Sequence, residues 1–126
     1  MRGYSSVLVV HRHESATNEI KVYFDRAGWA VHVAHTGFDG LLAARGKSYN
    51  LIVSVADLPV ITGIEMLRAI RTYSLNLTTT TYFLLEAGRD FSTIFPKLNI
   101  LPISLNNGRF DDEVFDRIQM PLATTF

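Results

Sequence analysis

The sequence predicts an α/β domain built on a doubly wound five-stranded parallel sheet of order 2-1-3-4-5, and three observations carry that prediction. Short, nearly all-apolar runs rich in β-branched residues recur along the chain, as expected of strands covered on both faces. Between them lie stretches whose apolar residues repeat at helical spacing. The length of 126 residues accommodates five strand–helix units in one domain and leaves no room for a second.

The first run, Val7-Leu8-Val9-Val10, is uniformly apolar and belongs at the centre of the sheet. Ser15 then serves as the cap of a helix with Ala16, Ile20, Tyr23, Phe24 and Ala27 facing inward, and Gly28 supplies its stop. Trp29 to Ala34 forms the second strand. Thr36-Gly37 opens a helix carrying Phe38, Leu41, Leu42 and Arg45, which Gly46 ends. Leu51-Ile52-Val53-Ser54-Val55 is the third strand, and Asp57-Leu58-Pro59-Val60-Ile61-Thr62-Gly63 is rich in turn signals. In the helix that follows, Ile64, Leu67, Ile70 and the stem of Arg71 point inward, flanked by Met66.

Thr81-Tyr82-Phe83-Leu84-Leu85 is the fourth strand, and 91–95 is no more than a short helix stopped near Pro96. The fifth strand, Ile100-Leu101-Pro102-Ile103, contains a proline, which removes a ladder donor and places the strand at a sheet edge. Asp111 caps a last helix using Val114, Phe115 and Ile118, and Pro121 closes it. The domain is expected to span 1–121, with 122–126 as a tail or the start of a linker.

Composition excludes several functions. Lys plus Arg and Asp plus Glu both total 12, so no net field steers this domain to nucleic acid or to an anionic membrane. Hydrophobic residues make up 48% of the chain, enough for a real core. The absence of cysteine removes disulfides, thiolate zinc sites and cysteine nucleophiles, and it agrees with the cytoplasmic location we expect. No apolar run approaches the ~20 residues of a membrane span, and no basic segment followed by an apolar one opens the chain. Ser54 sits in no G-x-S-x-G elbow, and neither a Walker loop nor G-x-G-x-x-G follows the first strand. An enzyme is therefore not expected.

In a doubly wound sheet the working site lies at the carboxyl ends of the strands, where the first and third strands diverge. The residues around that point resemble the receiver domains of two-component response regulators, the CheY-like branch of the flavodoxin-like folds. The resemblance runs from Val7 to about Ile118. It is strongest in Val7-Leu8-Val9-Val10, in Arg26-Ala27-Gly28-Trp29, and in Tyr49-Asn50-Leu51-Ile52-Val53-Ser54-Val55. It continues through Pro59 and Gly63 into Ile64-Glu65-Met66-Leu67-Arg68-Ala69-Ile70-Arg71.

The resemblance implies an acidic pair after the first strand to hold Mg²⁺, a phosphoacceptor Asp at the end of the third, a hydroxyl after the fourth and a Lys after the fifth. This sequence departs at each position. Counting from Pro59 and Gly63, the phosphoacceptor falls on Val55, the acidic pair on His11 and Arg12, the hydroxyl on Glu86, and the lysine on Ser104 or Gly108. Phosphoryl transfer to a carboxylate needs a metal and a cation to offset the crowding of negative charge. The expectation is thus a pseudo-receiver in two-component or phosphorelay signalling, without Mg²⁺, acting by phosphorylation-independent protein contact.

Within that expectation, Arg12 is paired with Glu86 across the pocket, in place of metal and phosphate. Two alternatives stay open: a receiver still switched by phosphorylation at Asp57, or one switched by an anion or small ligand in the emptied pocket. His11, His13 and His35 share the strand ends, but His-x-His on an extended segment points its rings to opposite faces, which makes a poor metal site. His11 beside Arg12 is a candidate pH-sensitive group. Finally, Phe91, Ile94, Phe95, Ile100, Leu105, Phe110 and Phe115, with few charges among them, suggest an exposed apolar surface around the fourth helix, fifth strand and fifth helix. That surface would serve a protein partner in signalling or a homodimer.

Overall fold

A computed structural model describes residues 5–85 and 93–123, with side chains as far as 118. The chain runs β1 (Ser6–Val10), α1 (Glu14–Arg26), β2 (Ala30–Ala34), α2 (Gly37–Gly46), β3 (Leu51–Ser54), α3 (Gly63–Tyr73), β4 (Thr81–Leu85), α4 (Phe95–Leu98), β5 (Ile100–Ser104) and α5 (Asp112–Ala123). The five strands are parallel in the order β2-β1-β3-β4-β5. The sheet topology predicted from the sequence is therefore the one observed.

Burial explains which strands are central. Every residue of β1 and β3 is buried, matching their unbroken apolar runs, whereas β2 at one edge exposes His32 and Val33. Pro102 lies in β5 at the other edge, where a residue without an N–H is tolerated. Phe24 of α1 meets Phe115 of α5 edge-on with ring centroids 5.0 Å apart, which joins these two helices on one face. On the other face α2 packs against α3, and α3 against α4.

Several boundaries differ from the sequence reading. Helix α1 begins at Glu14 with His13 in the cap position and no side-chain cap, so Ser15 lies inside the helix. Pro96 opens α4 where it was expected to stop a helix, because a residue in the first turn needs no intrahelical N–H partner. Helix α5 passes through Pro121 to Ala123, beyond the boundary expected at 121. Its start is as expected, the Asp111 carboxylate accepting the Val114 N–H at 3.0 Å. The fifth strand leads into a tight Asn-Gly turn in which Asn107 and Gly108 both have positive φ and Asn106 bridges Arg109. Among the described residues no helix is long and apolar enough to cross a membrane.

Candidate functional site

The parallel pairing of β1 with β3 sets Val10 beside Ser54, so the chain leaves both strands side by side. Val55 continues β3 by one residue, its N–H donating to the Val10 carbonyl at 3.3 Å. Its side chain is fully buried. The Val55 carbonyl accepts the Ser54 hydroxyl at 3.0 Å and lies against Gly63, the first residue of α3. Thr62 and Glu65 form a reciprocal capping box at that helix start, so the segment from β3 into α3 is anchored at both ends.

Arg12 and Asp57 face each other across this point. Arg12 Nη1 lies 2.5 Å from Asp57 Oδ2 and also donates to the Asp57 carbonyl at 2.9 Å. The guanidinium thus ties the loop after β1 to the loop after β3. Both side chains keep substantial exposure, 33% and 63%, so the pair contributes no more than about 1 kcal/mol to stability. Its consequence is geometric: the carboxylate nearest the tip of β3 is held by a cation built into the chain.

His11 is buried beside them. Its Nδ1 accepts the His13 N–H at 3.1 Å, which places the proton of the neutral ring on Nε2. Its carbonyl accepts from His35 Nδ1 at 3.0 Å. The rings of His11 and His13 stand 5.5 Å apart, not on opposite faces as expected, because the chain bends after Val10 and the strand alternation no longer applies. Even so, among the described residues no group of three His, Cys, Asp or Glu side chains is arranged to hold a metal ion.

Burial, followed by the neighbouring His13, Arg12 and His35, lowers the His11 pKa from 6.5 to about 4. Between these values the unfolded chain binds a proton that the folded chain refuses. The stability contribution is therefore complete above pH 6.5 and is lost as pH falls toward 4, by at most about 3 kcal/mol. Urea unfolding midpoints measured from pH 7 to 4 should show this fall, and His11→Asn, which retains an acceptor but no titrating ring, should flatten it. An equally steep fall in the variant would place its origin elsewhere.

No protein-family model matches the chain. Among curated proteins, an uncharacterized transcriptional regulatory protein of Bacillus subtilis, YkoG, is 31% identical over 65 residues, which is 52% of this chain. The chain spans about a quarter of that relative's length, 28%. Solved structures superpose along nearly the whole chain. The chemotaxis response regulator CheY4 of Vibrio cholerae is 22% identical with a TM-score of 0.81, covering 94% of this chain and 98% of that one. A CheY-like receiver domain from Methanospirillum hungatei gives a TM-score of 0.82 at 17% identity, covering 96% and 95%. The receiver domain of the sensor kinase PA1611 from Pseudomonas aeruginosa, with magnesium in its active-site cleft, gives 0.79 at 16%, covering 97% and 100%.

The chain has the receiver fold. In that fold the tips of β1 and β3 carry the residues singled out from the sequence, and the structure brings His11, Arg12, Val55 and Asp57 together there. Ser104 ends β5 exposed, its carbonyl accepting from Arg117 at 3.1 Å. Glu86 and Phe91 lie outside the described residues. The pairing of Arg12 with Glu86 expected from the sequence falls on a residue outside those described; among the described residues Arg12 pairs with Asp57. Nothing in the sequence spacing of 45 residues marks that pair, although both residues were already assigned to adjacent strand tips. Arg109, a cation just beyond β5, reaches Glu19 of α1 at 3.0 Å and so joins the β5–α5 connection to α1.

The expected apolar surface around α4, β5 and α5 needs correction. Phe95, Ile100 and Phe110 are buried in the core, and Ile94, Leu105 and Phe115 pack against it. Phe95 meets Phe83 at 6.2 Å, and Tyr23 meets Phe110 at 5.5 Å and Phe115 at 5.6 Å. The short α4 and the Asn-Gly turn draw these rings inward, which a reading of helical spacing alone does not capture. Among the described residues of this surface, Leu101 on the β5 edge is exposed, at 43%.

Proposed function

We propose that the chain is a receiver-type domain of two-component signalling that works by contact with other proteins, takes no phosphoryl group and carries out no reaction of its own. The observation that carries this reading is the fully buried Val55 at the tip of β3, where the resemblance calls for a carboxylate nucleophile. A valine offers no lone pair to phosphorus. The Arg12–Asp57 pair supports the same reading, since the Asp57 carboxylate is already met by a cation of the chain itself.

The donor chemistry does not fit the magnesium that the fold family implies. Arg12 has no lone pair to give, and the neutral His11 ring is a poor ligand for a hard cation. Asp57, two residues past Val55, already has its carboxylate on Arg12. The transcriptional regulatory role in the name of the Bacillus subtilis relative agrees with a signalling domain whose output is a protein contact.

The test is backbone amide spectra of the chain with Mg²⁺ and beryllofluoride or acetyl phosphate. We expect no shift in residues 55–63, and none in a Val55→Asp variant, because a nucleophile without metal ligands does not restore the chemistry. A saturable shift that disappears in Asp57→Asn would overturn the proposal and make the domain a phosphorylated switch.

A further inference from the structure

Tyr82 carries a hydroxyl that the fold leaves unused. The residue is 4% exposed, and among the described residues nothing donates to its oxygen or accepts from it. A buried polar group without a partner costs free energy, so its presence calls for a reason. Alternation along β4 fixes the way it faces. Phe83 meets Phe95 of α4 and approaches Gly63 of α3, so Tyr82 points to the opposite face of the sheet, which α1 and α5 cover. In register it stands beside Leu101 of the edge strand β5. With Leu101, Pro102, Ile103, Ser104 and Arg117 it lines an open groove of about 510 Å³ between β5 and α5. That volume suits a small organic molecule.

The polar groups of the groove are of one kind. Arg117 offers only donors and forms no ion pair among the described residues. One of its nitrogens donates to the Ser104 carbonyl at 3.1 Å, and its remaining N–H groups have no partner among the described residues. Burial pushes the Tyr82 hydroxyl pKa up, so at neutral pH it keeps a proton to donate. No carboxylate lines the groove, and Leu101, Pro102 and Ile103 make its walls apolar. An apolar body bearing a negatively charged acceptor answers all of these features together.

We propose that this groove binds a small organic acid, whose carboxylate accepts from Arg117 and from the Tyr82 hydroxyl while its hydrocarbon part lies along Leu101 and Pro102. The hydroxyl is covered in the present arrangement. Of the groove's walls Arg117 is the long, exposed side chain, held to β5 by one hydrogen bond to a carbonyl. The acid draws the guanidinium off Ser104 and reaches the hydroxyl beneath. The site shares no residue with the tips of β1 and β3, and it holds its ligand whether or not the domain takes a phosphoryl group.

Backbone amide spectra of the full chain at neutral pH test it, titrated with benzoate and hexanoate and separately with benzamide and hexanamide. We expect saturable shifts at residues 101, 103, 104 and 117 with the acids, and binding at least about tenfold weaker with the amides. Arg117→Gln should bring the acids down to the level of the amides. Tyr82→Phe should weaken the acids about tenfold. Without ligand the same variant should raise the thermal unfolding midpoint, because it removes a buried group that has no partner. Near-UV circular dichroism confirms that each variant is folded. No saturable shift at millimolar acid, acids and amides binding alike, or shifts confined to residues 11, 12 and 57 would overturn the site. A Tyr82→Phe midpoint below that of the unaltered chain would overturn it too, since the hydroxyl would then already have a partner.

Discussion

Asn76→Ala is expected to lower the unfolding free energy by about 3 kcal/mol, because the lost side chain strands several buried backbone groups at once. Asn76 is 1% exposed and uses its whole hydrogen-bonding capacity. Its amide nitrogen donates to the carbonyls of Ala44 at 2.7 Å and Lys47 at 2.8 Å, at the end of α2. Its oxygen accepts the Tyr49 N–H at 2.7 Å, just before β3, and the Thr79 hydroxyl at 2.9 Å, just before β4. One side chain thus ties the connection from α2 to β3 to the connection from α3 to β4, at the amino ends of two central strands. Asn76→Asp should be worse still, since it removes both donors and buries a charge among carbonyls. Thermal and urea unfolding check both variants; a loss below about 1 kcal/mol for alanine would mean that water replaces the clamp.

Gly63→Ala is expected to cost at least about 3 kcal/mol and to disturb the candidate site directly. A Cβ at this position would stand 2.2 Å from the Val55 carbonyl oxygen and 3.0 Å from Ala56 Cα. Both are backbone atoms, so the clash cannot be relieved by turning a side chain. Either α3 must retreat from β3, breaking the Gly63 N–H bond to the Ala56 carbonyl at 2.8 Å, or the loop carrying Asp57 must move. Gly46→Ala is the control. Nothing lies within 4 Å of a Cβ there, and alanine should leave stability unchanged or raise it by up to about 1 kcal/mol. Equal effects at the two positions would show that the close approach at Gly63 is not what the fold requires.

The two residues differ in how legible they were. Gly63 is visible in the sequence, where its spacing from Pro59 marks the turn that leads into α3. Asn76 gave no sign of its role: a polar residue between a helix and a strand reads as a solvated loop. Its importance arises because two connections, distant in sequence, converge on one point. Arg71 is similar. Its stem was read as inward facing, but its guanidinium donates to the carbonyls of Leu98 at 3.0 Å and Asn76 at 2.9 Å and to the Thr81 hydroxyl at 3.1 Å. No spacing rule announces those partners.

By itself the sequence determined the alternation of strands and helices, the central place of Val7-Leu8-Val9-Val10 and Leu51-Ile52-Val53-Ser54, and the edge position of the Pro102 strand. It also put Val55, His11 and Arg12 at the strand tips, where the resemblance sets the expectation of carboxylates. Each of these follows from local pattern: apolar periodicity reports how many faces an element buries, and a proline reports a missing donor. Only the tertiary structure decided that Arg12 pairs with Asp57, that the His11 and His13 rings lie together, and that Phe95, Ile100 and Phe110 turn into the core while Phe38, Leu42 and Val60 face solvent. The physical reason is that pattern encodes burial but not partnership. An ion pair between residues 45 positions apart, or the direction of a ring on a one-turn helix, depends on how close two tips and two layers come, and that distance exists only once the sheet is assembled.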